Sequence, residues 1–114
     1  MNDRSALAWL NEARDHALEA QKFTSGLSRE LFDSDRRGRF AVCFCFVVIG
    51  EALSQVPKDV QALAPEIPWV PINGLRNRLV HGYWLIDTQI ILRIAQADVS
   101  ALVSSIDRLI EKIR

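Results

Sequence analysis

The chain has 114 residues, of which 49% are apolar and 25% are charged, a composition typical of a folded globular protein and unlike that of a disordered one. Its fourteen basic and fourteen acidic residues cancel, so net charge does not draw the protein to nucleic acid or to a membrane. This length predicts one domain, residues 1–114, with a core of its own.

The two cysteines, Cys43 and Cys45, predict neither a disulfide nor a metal site. Two residues apart on a helix, they point about 200° away from each other and cannot bond. Without a cysteine framework or a signal peptide, a cytoplasmic protein is expected. The apolar run from Phe40 to Gly50 is shorter than the ~20 residues that span a membrane, so no membrane association is expected.

The first helix is predicted to start near Asn2 or Asp3 and to run to about Phe23. Its apolar residues recur at spacings of three and four. Most members of this stripe are small: Ala6, Leu10, Ala13, Ala17 and Ala20. Gly26 is the predicted helix stop, and Ser28 is the predicted N-cap of a second helix.

The run from Arg39 to about Val56 is apolar on almost every side, which predicts a central helix that Pro57 ends. Its Val, Ile and Phe residues also favour a strand, but the spacing towards its end is helical. Upstream, Asp35 is expected near a helix start, where a negative charge is favourable. Four prolines between residues 57 and 71 indicate a stiff loop with a short helix around Asp59–Leu63.

The remainder of the chain predicts three more helices. The first of them has an apolar stripe formed by Ile72, Leu75 and Leu79. Gly82 is predicted to end it, and Asp87 and Asp98 are the predicted N-caps of the other two. No strand pattern or internal repeat is visible in the sequence, so the chain is predicted to be an all-α bundle of four or five main helices.

A polar cluster lies on the helix that precedes Gly82. The stretch "INGLRNRLVHGYW" carries Arg76, Asn77, His81 and Tyr83. Asn77 is four residues before His81, so it lies one turn below the imidazole and can orient it. Arg76 and His81 differ by about 140° around a straight helix. Either the helix unwinds at Gly82, or two copies of the protein combine these residues in one site.

Arginine and histidine together can cleave RNA without a metal ion. A histidine exchanges protons near neutral pH and can deprotonate a 2′-hydroxyl, whereas an arginine binds phosphate and stabilises the charge on a phosphorane. His81 is therefore the candidate proton-transfer residue and Arg76 the candidate phosphate clamp. A solvated helix end is the alternative interpretation, because a histidine just before a terminal glycine often meets only the helix dipole.

The segment "EIPWVPINGLRNRLVHGYW", residues 66–84, resembles the signature of the HEPN superfamily and specifically of its HepT-like toxin branch, whose motif is R-x-x-x-x-H-x-Y. Arg76, His81 and Tyr83 fit this motif without gap or substitution. The "IGEA" of residues 49–52 also resembles that branch, and the similarity spans nearly the whole chain.

The resemblance implies a HEPN-type helical homodimer in which Arg76 and His81 of both protomers line one cleft. It implies a metal-independent endoribonuclease without a cofactor, in which Asn77 orients the histidine or contacts phosphate. The implied partners are an RNA substrate and a minimal nucleotidyltransferase, the antitoxin of a toxin–antitoxin pair. That enzyme is expected to attach AMP to Tyr83, which adds negative charge beside the cleft and blocks RNA phosphate.

Further arginines can contribute to RNA binding. Arg39, near Arg36 and Arg37, and Arg78 on the motif helix are the candidates for phosphate contacts that add affinity and salt dependence. The alternative is a solvated helix start that is partly paired with nearby aspartates.

Four other side chains have structural interpretations. His16 is expected to be structural or solvated, and Glu51 is expected to pair with an arginine. Trp69 and Trp84 flank the motif helix, where packing is favoured over stacking on a base.

Three functions are consistent with the sequence. A toxin ribonuclease is preferred because the motif is intact. A non-catalytic HEPN module that binds a nucleotidyltransferase, and nucleotide with it, is the alternative. A helical bundle with a purely structural role ranks last. It would leave the combination of Arg, His and Tyr without any acidic residue in residues 67–86 as a coincidence.

Overall fold

Helices account for all the regular secondary structure of residues 3–114, the part of the chain that the computed structural model describes. In chain order they are α1 (Asp3–Thr24), α2 (Arg29–Ser34), α3 (Arg36–Ser54), α4 (Lys58–Gln61), α5 (Trp69–Gly82), a 3₁₀ turn (Tyr83–Leu85), α6 (Thr88–Arg93), a π turn (Ile94–Asp98) and α7 (Val99–Ile113). The prediction of an all-α fold is confirmed.

The first helix is confirmed over the described residues and agrees with its prediction at its C-terminal end. α1 begins at Asp3 and ends at Thr24, while the alternative start at Asn2 lies outside the described residues. Its alanine-rich stripe is completely buried and packs against α3 and α7. Because alanine adds little bulk, both neighbours can approach the α1 backbone closely. Gly26 then adopts a left-handed conformation with φ of 73°, which glycine accepts without strain and which ends the helix.

The predicted N-caps Ser28 and Asp87 are confirmed, and Asp35, which was expected only near a helix start, is an N-cap as well. In each, a side-chain oxygen accepts a hydrogen bond from a backbone N–H in the first turn: Ser28 from Leu31 at 3.1 Å, Asp35 from Gly38 at 2.9 Å, and Asp87 from Gln89 at 2.8 Å. These bonds satisfy donors that have no partner within the helix, and so they set where α2, α3 and α6 begin.

The prediction that Asp98 caps a separate last helix is wrong. The chain is helical without a break from Thr88 to Ile113, through the π turn at Ile94–Asp98. Asp98 has helical backbone angles, with φ of −90° and ψ of −26°, and its side chain caps no N–H. Because the widened turn keeps the chain helical, no free N–H remains there for a cap to satisfy.

The central helix is α3, which packs against α1 on one side and α5 on another. It is a helix and not a strand, as predicted, but it begins at Arg36 because Asp35 caps it there. Although its residues are apolar on almost every side, this helix is not buried on every side. Phe44 is 62% exposed and Phe40 is also exposed, because the neighbouring helices cover only part of its circumference.

The proline-rich loop leads directly into α5. The short helix inside the loop spans Lys58–Gln61, close to the predicted position. α5 begins at Trp69, earlier than its apolar stripe indicated, and Pro71 lies in the first turn, where the missing N–H costs no helical bond. The Trp69 indole N–H donates to the Ala64 carbonyl at 3.0 Å and ties the helix start to the loop.

Gly50 lets α5 approach α3 closely. A Cβ atom added at Gly50 would lie 2.9 Å from Cγ of Arg76, closer still to its Cβ, and 3.4 Å from the Ile72 carbonyl oxygen. Any larger residue at this position would therefore push the two helices apart. The contact places the stem of Arg76, the first residue of the predicted motif, against the backbone of α3.

Among the described helices, the continuous one from Thr88 to Ile113 is long and apolar enough to cross a membrane, judged by length and composition alone. Its apolar stripe is buried against the rest of the bundle, including Ile91, Ile106 and Leu109. Core helices of soluble proteins share these properties, so this feature carries no membrane assignment.

We predict that Gly50→Ala destabilises the protein by about 1–3 kcal/mol, because the added methyl group overpacks the α3–α5 contact against two stem atoms and a backbone carbonyl. Urea unfolding followed by circular dichroism measures the change, with native helix content checked before denaturant is added. An unchanged free energy of unfolding would contradict the close contact.

Candidate active site

The guanidinium group of Arg76 is held by two neighbours at the edge of the α3–α5 contact. Its Nη2 lies 3.1 Å from Oε2 of Glu51 on α3, and its Nη1 donates to Oδ1 of Asn77 at 2.8 Å. The predicted pairing of Glu51 with an arginine is confirmed. The Arg76 side chain is 29% exposed, so its fork reaches the surface while its stem is packed over Gly50.

One hydrogen-bond donor of Arg76 is unsatisfied. Its Nε is buried and has no partner among the described residues. Nη1 and Nη2 have partners, whereas Nε has none, because the Arg76 stem that carries Nε is packed over the backbone of α3 at Gly50. To grip a phosphate, the fork has to exchange the Glu51 carboxylate for the phosphate oxygens, since both are acceptors for the same donors.

Asn77 contacts Arg76 rather than His81. Its side-chain oxygen accepts the Arg76 bond, and no hydrogen bond joins Asn77 to His81 in the described part of the chain. Of the two predicted helper roles, this arrangement favours the phosphate side over orientation of the imidazole.

His81 lies in the last turn of α5 and is exposed. It lines a groove of about 460 Å³, which we call the His81 groove. The other residues of the groove are Arg78, Gly82, Leu85, Ile86, Asp87 and Ile90. Arg76 is not among them. The helix is regular through His81 and ends at Gly82 as predicted, so unwinding at Gly82 does not bring Arg76 and His81 together within one protomer.

Tyr83 lies just beyond α5, in the 3₁₀ turn. Its ring packs edge-to-face against Phe40 of α3, with centroids 5.6 Å apart, and against Trp84, at 5.3 Å. The side chain is exposed, so a modifying enzyme can approach it. It follows His81 by two residues but is not among the residues that line the His81 groove.

The arginines predicted to bind RNA fall into two groups. Arg39 donates to the backbone carbonyls of Phe32 and Asp33 and so holds the end of α2. Arg78 is exposed at the rim of the His81 groove and remains a candidate for phosphate contacts. Arg36, a neighbour of Arg39 in the same basic stretch, is exposed and stacks its guanidinium over Phe40, 5.3 Å from the ring centroid.

The two tryptophans differ in their environments. Packing was expected for both, and Trp69 is partly buried as predicted. Trp84 is 69% exposed, so the packing prediction is wrong for it. The turn after α5 directs this ring away from the core, which the residue types alone do not indicate. His16 has the structural role expected of it, with its Nδ1 2.9 Å from the Glu12 carbonyl oxygen.

The cysteines take no part in the candidate site. Both are free thiols. Burial, with a smaller contribution from Glu19, raises the pKa of Cys45 to about 11, and burial raises the pKa of Cys43 as well. Neither is therefore a thiolate nucleophile at neutral pH. No group of side chains within the described residues has the composition and spacing of a metal site.

Comparison with known proteins supports the family suggested by the motif. Residues 13–109 match the family described as "Ribonuclease HepT-like". The chain is 29% identical over 106 residues to "Probable ribonuclease HepT" of Thermococcus cleftensis, which covers 93% of this chain and 96% of that protein. It is 27% identical over 113 residues to "Putative RNase MJ1216" of Methanocaldococcus jannaschii, covering 99% and 93% respectively.

A third relative shows a similar degree of identity. The chain is 26% identical over 102 residues to "Putative RNase TTE0752" of Caldanaerobacter subterraneus, covering 86% of this chain and 91% of that protein. No solved structure is significantly similar to the chain. The match over residues 13–109 includes the whole of α5 and most of α1 and α7, and from it we conclude that the chain belongs to the ribonuclease HepT-like family.

Proposed function

We propose that this protein is a metal-independent endoribonuclease that cleaves RNA with Arg76 and His81, and that it is the toxin of a toxin–antitoxin pair. The observation that carries the proposal is that α5 carries both an exposed histidine, His81, and an arginine, Arg76, whose fork reaches the surface. The chain that carries them belongs to this family. RNA and the ATP that its antitoxin consumes are cytoplasmic, so the proposed function requires that location.

The proposed reaction is an internal transesterification. His81 removes the proton from a 2′-hydroxyl, and the resulting oxygen attacks the adjacent phosphorus. The 5′-oxygen of the next nucleotide leaves and is protonated, which gives a 2′,3′-cyclic phosphate and a 5′-hydroxyl end. Arg76 stabilises the added charge on the phosphorane, after its fork has turned from Glu51 to the phosphate.

The proposed site is composite and uses a second copy of the chain. Arg76 and His81 lie on different sides of α5 in one protomer, and the His81 groove does not include Arg76. A second α5 packed against the face that carries Asn77 and His81 can bring its own His81 towards the Arg76 fork of the first copy, because that fork bends to the Asn77 side chain. The His81 of this second copy is also the acid that protonates the leaving oxygen.

The outer face of α5 has the features of a helix contact. Gly74 lies in mid-helix, where a glycine costs roughly 1 kcal/mol relative to alanine, yet a Cβ there would meet nothing within 4 Å. The protomer itself thus gives no steric reason for this glycine. Val70, Asn77 and His81 share its face of the helix, and Val70 is 81% exposed. A second α5 that crosses at Gly74 would cover this apolar residue and lie beside His81.

A non-catalytic module is the second candidate, and one observation favours it. Glu51 already neutralises Arg76 at 3.1 Å, so the clamp is not free in this state. In such a module the same face binds a nucleotidyltransferase, and Tyr83 is modified for a reason other than control of cleavage. The exposure of Tyr83 beside the motif helix is compatible with AMP transfer in either case.

We predict that His81→Ala and Arg76→Ala each lower RNA cleavage by about 10²–10⁴-fold, because each removes a group that acts in the transition state. The assay uses labelled RNA in EDTA and identifies cyclic-phosphate ends. The matched control is His16→Ala, which removes the other histidine of the chain and should cut like the wild type. If the wild type does not cut, or if the two variants cut as it does, the nuclease proposal fails and the module takes its place.

We predict that Gly74→Leu weakens self-association at least tenfold, because the added side chain separates the two α5 helices. Analytical ultracentrifugation at micromolar concentration measures the dimer. Ala101→Leu places the same side chain on an exposed position of α7 and should leave the dimer intact. A wild-type monomer at these concentrations, or a Gly74→Leu dimer as tight as the wild type, would argue against the shared site.

We predict that co-expression with a cognate nucleotidyltransferase adds the mass of AMP to Tyr83 and suppresses cleavage, because the new phosphate repels RNA. Intact-mass spectrometry and peptide mapping locate the group, and Tyr83→Phe is the control. An unchanged mass, or an equal gain in the Phe variant, would remove Tyr83 as the modified residue.

A further inference from the structure

A second cleft, distinct from the His81 groove, lies between α3, the turn after α5 and the start of α6. Its volume is about 340 Å³, within the range of roughly 300–1,000 Å³ typical of ligand sites. Its walls include the side chains of Arg36, Phe40, Cys43, Tyr83, Trp84 and Ile86. We call it the aromatic cleft.

Three aromatic rings stand at the mouth of the aromatic cleft and remain open to solvent. Phe40, Tyr83 and Trp84 pack edge-to-face in sequence, with centroids 5.6 and 5.3 Å apart. All three are exposed, and Trp84 most of all. Edge-to-face packing fixes the orientation of the rings, and the exposed indole leaves surface on which a planar group can stack.

The charges around the aromatic cleft favour an anion. Arg36 and Arg39 line it, and no Asp or Glu is among its lining residues. Two aspartates precede Arg36 closely in the sequence, Asp35, which caps α3, and Asp33. Asp33 accepts a hydrogen bond from the Thr88 hydroxyl and lies 3.7 Å from Nε of Arg29, so it already has partners outside the aromatic cleft. The Cys43 thiol adds no competing charge, because burial raises its pKa. A planar base attached to a phosphate matches a stacking surface next to two arginines.

The aromatic cleft adjoins the proposed catalytic groove. Ile86 lines both of them, and Tyr83 follows His81 by two residues. An RNA strand with its reacting phosphate in the His81 groove can therefore cross the turn and place a neighbouring nucleotide in the aromatic cleft.

We propose that the aromatic cleft is a nucleobase subsite. It takes one unpaired base of single-stranded RNA next to the cleaved phosphodiester, stacked on Trp84, with the phosphate of that nucleotide on Arg36. Since a base can enter only when it is unpaired, the subsite selects single-stranded over duplex RNA. This inference rests on the proposed ribonuclease function.

The test measures binding of a fluorescein-labelled RNA oligonucleotide with 2′-O-methyl groups throughout, which cannot be cleaved by attack of a 2′-oxygen. Trp84→Ala should raise its Kd by about tenfold, because a base stack is lost, whereas Trp84→Phe should keep the Kd near the wild-type value. Arg36→Ala should raise the Kd and lower its salt dependence by about one phosphate contact. Arg37→Ala is the matched control, because Arg37 carries the same charge next to Arg36 and does not line the aromatic cleft.

Cleavage of unmodified RNA by the wild type is measured in parallel, so that the two proposals can fail separately. If the wild type cuts RNA while Trp84→Ala and Arg36→Ala bind as it does, the subsite is wrong and the ribonuclease stands. Equal losses in Arg36→Ala and Arg37→Ala also overturn the subsite, because general attraction then explains the binding. If the wild type binds the probe in a way that depends on Trp84 but does not cleave RNA, the aromatic cleft binds nucleotides and the ribonuclease proposal is rejected. If the wild type does not bind the probe, the subsite fails.

Discussion

The close contact between α3 and α5 at Gly50 is the constraint on which the candidate site depends. It brings Arg76 against the α3 backbone and within 3.1 Å of Glu51. A bulkier residue at Gly50 would move α5 outward and with it every residue of the motif. The proposed catalytic arginine is thus positioned by packing of its stem, and its charge is compensated by a single carboxylate that a phosphate could replace.

This arrangement sets an electrostatic balance at the site. Glu51 compensates the charge of Arg76 in the absence of RNA, and Asn77 fixes the second arm of the fork. A partly exposed ion pair contributes little to stability, roughly 0–1 kcal/mol, so the exchange of carboxylate for phosphate has a low cost. The pair therefore keeps the fork ordered at the surface without closing it to an anionic ligand.

The turn after α5 divides the surface into two neighbouring depressions. His81 precedes the turn and lines one of them, while Tyr83 and Trp84 follow it and line the other. The proposed acid–base group, the proposed modification site and the proposed base-binding ring therefore lie within four residues of one another. In the proposed scheme, a group attached to Tyr83 would stand between the path of the RNA and its stacking surface, which links control to substrate binding.

Local chemistry determined much of this protein. The caps at Ser28, Asp35 and Asp87 and the stop at Gly26 were predictable, because each depends on a side chain and its own first turn. The Arg–His–Tyr motif is visible in the sequence as well, and the family was suggested by the resemblance of the segment around it to the HepT-like signature. Only the tertiary structure decided how far neighbours cover α3, that the chain stays helical through Asp98, and that Trp84 is exposed. These features depend on how closely helices distant in sequence approach one another, and the pattern along a single helix does not contain that distance.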